Sequence, residues 1–254
     1  MVNNKNIGTD LEKNIYALYT KIARTSGRKH FESENLSWTD VSPSSWPNLI
    51  FDINTAIGIE NILEIIFMEI SEGRAPSSIF LGPSSYSQEL ETALIQKGFN
   101  RVADYPGMIF DIGTFDSPEY KDQDLDFEVV TSRERLKIFT DIVEEGMFGK
   151  GFNGLGLLEA LLESDEFVFL LGLYKKRPVS TAMIFFDGYI AGIKLVTTRP
   201  SYRQKGFGRA CMLFSMRKAR ERGYNTAGLF ASKMGENIYR ELGFRQICKF
   251  YKFE

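Results

Sequence analysis

The residues best suited to chemistry lie in Arg203-Gln204-Lys205-Gly206-Phe207-Gly208, between an apolar run at Tyr189–Thr197 and a helical run at Gly208–Arg222. The first N–H groups of a helix have no partner within the helix and carry partial positive charge, so a strand that opens through glycines onto a helix makes a cradle for phosphate. Gly206 permits a positive φ and close backbone approach, and Gly208 removes a side chain at the helix start. Arg203, Lys205 and Arg209 add charge around the exposed N–H groups, and Arg199 extends the basic patch. The arrangement suits a pyrophosphate, because each charge-assisted hydrogen bond contributes about 1.5–3 kcal/mol. Downstream, a second strand and helix end in Tyr239-Arg-Glu-Leu-Gly243-Phe244.

The elements around these residues alternate. Phe127–Val130 reads as a strand, Ser132–Glu145 and Leu155–Glu163 as helices, and Glu166–Tyr174 and Pro178–Phe186 as strands joined tightly through Lys175-Lys176-Arg177. After Tyr189–Thr197 and the Gly208–Arg222 helix come a strand at Tyr224–Phe230, a helix at Gly235–Leu242 and a strand at Arg245–Phe253. The first half reads as a helix at Asp10–Thr25, an extended Leu49–Ile53, a helix at Gly58–Glu72, a strand at Ser78–Leu81, a helix at Ser87–Lys97 and a strand at Arg101–Ile112. Between the halves, Asp111–Asp126 is polar, acidic and interrupted by Gly113 and Pro118, which places a boundary there. The expected units are residues 1–120 and 121–254. Leu94-Ile-Gln-Lys-Gly98-Phe99 echoes Tyr239-Arg-Glu-Leu-Gly243-Phe244, which reads as a weak internal repeat or as the glycine cap that many helices share.

Composition narrows the function classes. The 254 residues carry 31 basic and 33 acidic side chains, a net charge of −2, which disfavours nucleic acid bound through a general basic footprint. The two cysteines, Cys211 and Cys248, have neither zinc-site spacing nor the density of a secreted disulfide scaffold, and read as buried free thiols. No run approaches the ~20 apolar residues that span a bilayer, and the first ten residues lack the apolar core of a leader, so the chain reads as a soluble cytoplasmic protein without metal. Gly149-Lys-Gly151-Phe-Asn-Gly154 satisfies a dinucleotide-binding pattern, but helical sequence precedes it where a strand is required.

Taken together, Val196-Thr-Thr-Arg-Pro-Ser-Tyr-Arg203-Gln-Lys-Gly206-Phe-Gly208-Arg-Ala and Ala231-Ser232-Lys-Met-Gly235-Glu-Asn-Ile-Tyr239-Arg-Glu-Leu-Gly243-Phe244 resemble the acetyl-CoA signature and the last block of the GNAT superfamily of N-acetyltransferases. The resemblance covers about residues 125–254, and the first half resembles a degenerate second copy with no phosphate signature near Asn54–Gly58. It implies two GNAT-like α+β units, each a mixed, mostly antiparallel sheet flanked by helices, with one acetyl-CoA site. It further implies direct attack of a primary amine on the thioester, the acceptor being a small molecule or a peptide, in a monomer or homodimer. Val196, Thr197 and Thr198 would pair with the pantetheine arm. Gln204, Lys205, Gly206, Phe207, Gly208 and Arg209, with Arg203, would hold the pyrophosphate. Ser232 joins the cofactor set, and Tyr239 would protonate the departing thiolate. Lys194 occupies the strand where relatives often place a carboxylate, so the base is left open among Glu144, Glu145, Glu166 and Asp187. The sole histidine, His30, reads as a surface or interdomain residue. The alternative is a non-catalytic acyl-CoA-binding or interaction module.

Overall fold

A computed structural model describes residues 6–113, 124–149 and 151–254. The middle of the expected boundary, residues 114–123, and Lys150 of the Gly149–Gly154 pattern lie outside the described residues, as do residues 1–5.

Local chemistry sets most element ends. Helix α1 (Ile7–Thr25) starts three residues earlier than its apolar spacing predicts. Ser87 caps α3 (Gln88–Gln96) by accepting from Leu90 N–H, and Ser132 caps α4 (Arg133–Val143) by accepting from Arg135 N–H. Strands β7 (Phe167–Tyr174) and β8 (Arg177–Asp187) form the expected antiparallel hairpin. Their turn residues Lys175 and Lys176 both take positive φ, 49° and 62°, the backbone that matches strand twist in a two-residue turn. The helix expected at Leu155–Glu163 is a short α5 (Gly154–Leu158) continued as a 3-10 turn, and α4 runs on into a π-helical turn, Glu144–Phe148.

The remaining elements are β1 (Lys29–Glu32), β2 (Ser37–Asp40), β3 (Leu49–Phe51), α2 (Ile59–Ser71), β4 (Ile79–Leu81), β5 (Arg101–Asp111) and β6 (Leu125–Val129). They are followed by β9 (Ile190–Thr198), α6 (Phe207–Glu221), β10 (Thr226–Phe230), α7 (Glu236–Glu241) and β11 (Arg245–Phe253). The eleven strands of the described residues join one continuous sheet in the order β1-β2-β3-β4-β11-β5-β10-β9-β8-β7-β6. The halves exchange their last strands. β5, from the first half, lies antiparallel to β10, and β11, from the second, lies antiparallel to β4, while β5 and β11 pair with each other.

Helices cover both faces. On one face α1, α4 and α5 share a core with Phe51, Phe80, Phe169, Phe185 and Leu195, drawn from both halves. On the other, α6 and α7 cover the β8–β10 side through Ala191, Ile193, Cys211 and Met212, and α2 and α3 cover the β3–β4 side through Ile50, Ile79, Leu63 and Leu90. Leu11 and Ile15 of α1 are fully buried, each contributing about 1.5–3 kcal/mol, so the first half helps hold the second half's sheet. Among the described residues no helix is long and apolar enough to cross a membrane.

Candidate active site

The site forms where β9 and β10 part. These parallel strands pair at Thr226↔Ile190, Ala227↔Ala191 and Gly228↔Gly192, and β9 then runs on six residues to Thr198 without a β10 partner. A β-bulge reinforces the parting: between Thr181↔Thr197 and Met183↔Lys194, Leu195 and Val196 together oppose Ala182. Leu195 takes φ 51°, and Thr181 Oγ1 donates to its carbonyl at 2.8 Å, which pins the bulge. The edge of β9 that faces β10 therefore offers main-chain groups from Ile193 to Thr198 to an extended ligand, the role expected of Val196, Thr197 and Thr198.

Beside this opening lies the expected cradle. Gly206 is the N-cap of α6 in the left-handed region, φ 82°, and no side chain caps the helix. The first-turn N–H groups thus have neither an intrahelical acceptor nor a capping side chain. Gln204 also takes a positive φ, 60°, and Gln204, Lys205, Gly206 and Arg209 are exposed. A Cβ on Gly208 would stand 3.5 Å from Thr198 Oγ1, so the helix start and the end of β9 are in near contact. Phe207 is buried against Tyr174 and Tyr202, anchoring the first turn.

Arg203 has a structural task as well. Its guanidinium donates to the Thr198 carbonyl at 3.3 Å and to the Gly146 carbonyl at 2.7 Å, tying β9 to the π-helical turn. Gly146 must be glycine there: a Cβ would stand 2.4 Å from Thr197 Oγ1. Arg199 pairs with Glu145 on the same turn. Ser232 accepts from Gly235 N–H at 3.3 Å, shaping the entry to α7, and is exposed.

Tyr239 lies on α7, buried in the core with Cys211, Leu242 and Phe244, its ring folded back over Gly235. Burial pushes its phenol up to about 12, with the Cys211 thiol adding to the shift. Of the carboxylates considered as bases, Glu145 is engaged by Arg199, Glu166 by Lys21, and Asp187 ends β8 opposite the start of β9. Burial raises the Asp187 carboxyl. His30 sits on β1, far along the sheet order from β9.

Sequence reasoning missed the wall on the α1 face. Trp46, from the first half, packs 5.9 Å from Phe148, which stacks on Phe152 at 4.8 Å, and Ser45 N–H donates to the Gly151 carbonyl at 3.0 Å. Asn14 of α1 donates to the Ile190 carbonyl at 3.2 Å and covers Gly192. Lys194, noticed only as a departure, is buried, with Nζ 4.4 Å from the centroid of the Phe230 ring at the end of β10.

Residues 133–244 match the acetyltransferase (GNAT) family. A GCN5-related N-acetyltransferase from Kribbella flavida superposes with TM-score 0.72 at 18% identity, covering 96% of this chain and 94% of that one. One from Sphaerobacter thermophilus gives 0.64 at 16%, covering 81% and 71%, and a conserved protein of unknown function from Staphylococcus epidermidis gives 0.66 at 13%, covering 88% and 91%. No curated protein matches the sequence. At these identities the likeness of the solved structures speaks for the fold alone, and it extends over nearly the whole chain, whereas the match to the acetyltransferase (GNAT) family covers residues 133–244, less than half of the chain.

Proposed function

We propose that the protein is an acetyl-CoA-dependent N-acetyltransferase in which a primary amine attacks the thioester directly. The observation that carries this reading is the parting of β9 from β10 beside an uncapped, glycine-opened helix start. The residues fit the cofactor: the exposed Gln204–Gly206 loop and Arg209 suit its pyrophosphate, and the unpaired edge of β9 suits its pantetheine arm. When bound, acetyl-CoA supplies an activated acyl group. The protein orients it, and main-chain N–H groups at the bulge stabilise negative charge that develops on the carbonyl oxygen.

Tyr239 is the proposed acid. With its phenol near 12 and a thiol near 8.5, donation is uphill by roughly 5 kcal/mol, so it serves only a thiolate held close. The first half acts as a second, GNAT-like unit, at 1–120 beside 121–254, that walls the acceptor side through Trp46 and binds no cofactor. The acceptor is a small or peptidic amine.

Titration calorimetry with acetyl-CoA, beside dephospho-CoA and NAD, tests the binding half of this reading, and thiol release with amines tests the transfer half. The deep burial of Tyr239 suits a second reading, a non-catalytic acyl-CoA-binding module, which predicts the same binding with no thiol release for any amine.

A further inference from the structure

We infer that Lys194 is the catalytic base: its side chain bridges the mouth of the opening between β9 and β10 and takes the proton from the incoming amine. The inference rests on the acetyltransferase reading.

Position comes first. Gly192↔Gly228 is the last pair between the two strands, and Lys194 stands two residues beyond it on β9, immediately before the bulge. It projects to the α1 face, as Leu195 does, away from the cradle helix α6. Its Nζ lies 4.4 Å from the ring centroid of Phe230, the last residue of β10, so one side chain spans the point where the strands separate.

The second observation is an unmet hydrogen-bonding need. Lys194 is 6% exposed, and among the described residues its Nζ has no hydrogen-bond partner. A buried ammonium without a carboxylate is strongly disfavoured, whereas a neutral amine with a free lone pair is tolerated. Burial accordingly holds the group down to about 7. The titratable groups around it supply no counter-charge. Cys248 of β11 is pushed up to about 12 and stays a thiol near neutrality. Glu12 of α1 acts on that thiol but is occupied by Tyr16 Oη and Ser84 N–H, and Tyr105 of β5 packs on the Phe230 ring with its phenol raised by burial.

A base of this strength is what an ammonium acceptor requires. An alkyl ammonium near 10.4 is almost wholly protonated at neutral pH and cannot attack. Its first proton passes to Lys194 Nζ, and the freed lone pair forms the C–N bond. The C–S bond breaks with its electrons on sulfur, and the second proton, shed as the amide forms, goes to that sulfur. Lys194 returns its proton to solvent, so each turnover converts an ammonium and a thioester into an amide, a thiol and one released proton.

The test compares the full-length protein with Lys194→Met, using thiol release from acetyl-CoA with phenethylamine, an ammonium at neutral pH, and with hydroxylamine, already neutral there. The expected result is a loss of about 10²–10³-fold with phenethylamine and less than about 3-fold with hydroxylamine. The rise of wild-type kcat/KM with pH, centred near 7, disappears in the variant. Without any ligand, Lys194→Met melts at a higher temperature, and the rise of wild-type stability from about pH 7 toward about pH 10 is absent from it. Equal losses with both amines, an unchanged pH profile, or wild-type activity that falls as pH rises through 7 would each overturn the base, the last by making Lys194 a cationic receptor. No thiol release by wild type with either amine would instead overturn the acetyltransferase reading itself.

Discussion

The opening between β9 and β10 has a counterpart in the first half, between β3 and β4. These strands are also parallel and pair only at Ile50↔Ile79, and the helix that connects them also starts at a glycine of positive φ, Gly58 at 95°. What differs is the chemistry laid on that frame. Asn54–Glu60 holds no lysine or arginine, Asn54 is spent on the N–H of Ala56, and Glu60 places negative charge in the first turn of α2. Between Arg199 and Arg209 the second half carries four basic residues around a helix start that, like that of α2, has no side-chain cap. Two residues past the last strand pair stand the buried Lys194 in one half and the exposed Asp52 in the other. Parted strands and a glycine entry therefore belong to the architecture, and the basic loop converts one of the two openings into a candidate cofactor site.

The comparison can be broken most forcefully by separating the halves. Deleting residues 1–120 removes β5 from between β11 and β10 and strips α1 from the shared core, so the remainder is expected to be insoluble or to lose cooperative melting. A soluble, fully active remainder by gel filtration and thiol release would show that the exchanged strand is dispensable.

Lys194→Met addresses the buried mouth. Because the folded-state pKa lies below the unfolded value, the unfolded chain holds the extra proton between about pH 7 and about 10.4, and wild-type stability climbs across that window. Removing the group is expected to gain up to about 5 kcal/mol at pH 7, before relaxation reduces it, as read by denaturant melts. The exposed Asp52, changed to Asn, should alter stability far less in the same assay, and an equal gain would dissolve the contrast between the two positions.

Matched glycine substitutions sharpen the charge argument. Gly206→Val is expected to weaken acetyl-CoA binding at least ~100-fold by covering the N–H groups of α6. Gly58→Val strains a backbone that only glycine adopts readily, costing about 1–3 kcal/mol of stability, yet should leave acetyl-CoA affinity unchanged in calorimetry. The smallest effect on turnover is expected of Tyr239→Phe. A phenol held near 12 supports a drop in kcat of about 10²-fold, the low end for general acids, with acetyl-CoA affinity preserved. An unaltered kcat would remove Tyr239 from the mechanism.

Much of this arrangement was legible in the sequence where local chemistry decides the outcome. The glycine turn into α6, the Lys175-Lys176 hairpin and most second-half elements follow from turn residues and periodicity. Strand β1 was missed because Lys29-His-Phe-Glu32 lies at the sheet edge, mostly exposed and without alternation, and β2 because four residues, Ser37-Trp-Thr-Asp40, buried throughout most of their length, are too few to show a period. The exchange of β5 and β11 was invisible because a strand's partner is chosen by tertiary packing, not by its own residues. The π-helical turn and the Gly146 contact with Thr197 leave no periodic mark, and the burial of Lys194 depends on Phe230 and Cys248 arriving from strands distant in sequence.

Calorimetric titration of the purified chain with acetyl-CoA, run beside Gly206→Val and Gly58→Val, tests the central claim most directly. Saturable micromolar binding by wild type and Gly58→Val, lost in Gly206→Val, is the predicted result. No binding by wild type, or equal binding by wild type and Gly206→Val, would contradict the assignment of the α6 cradle as the acetyl-CoA site.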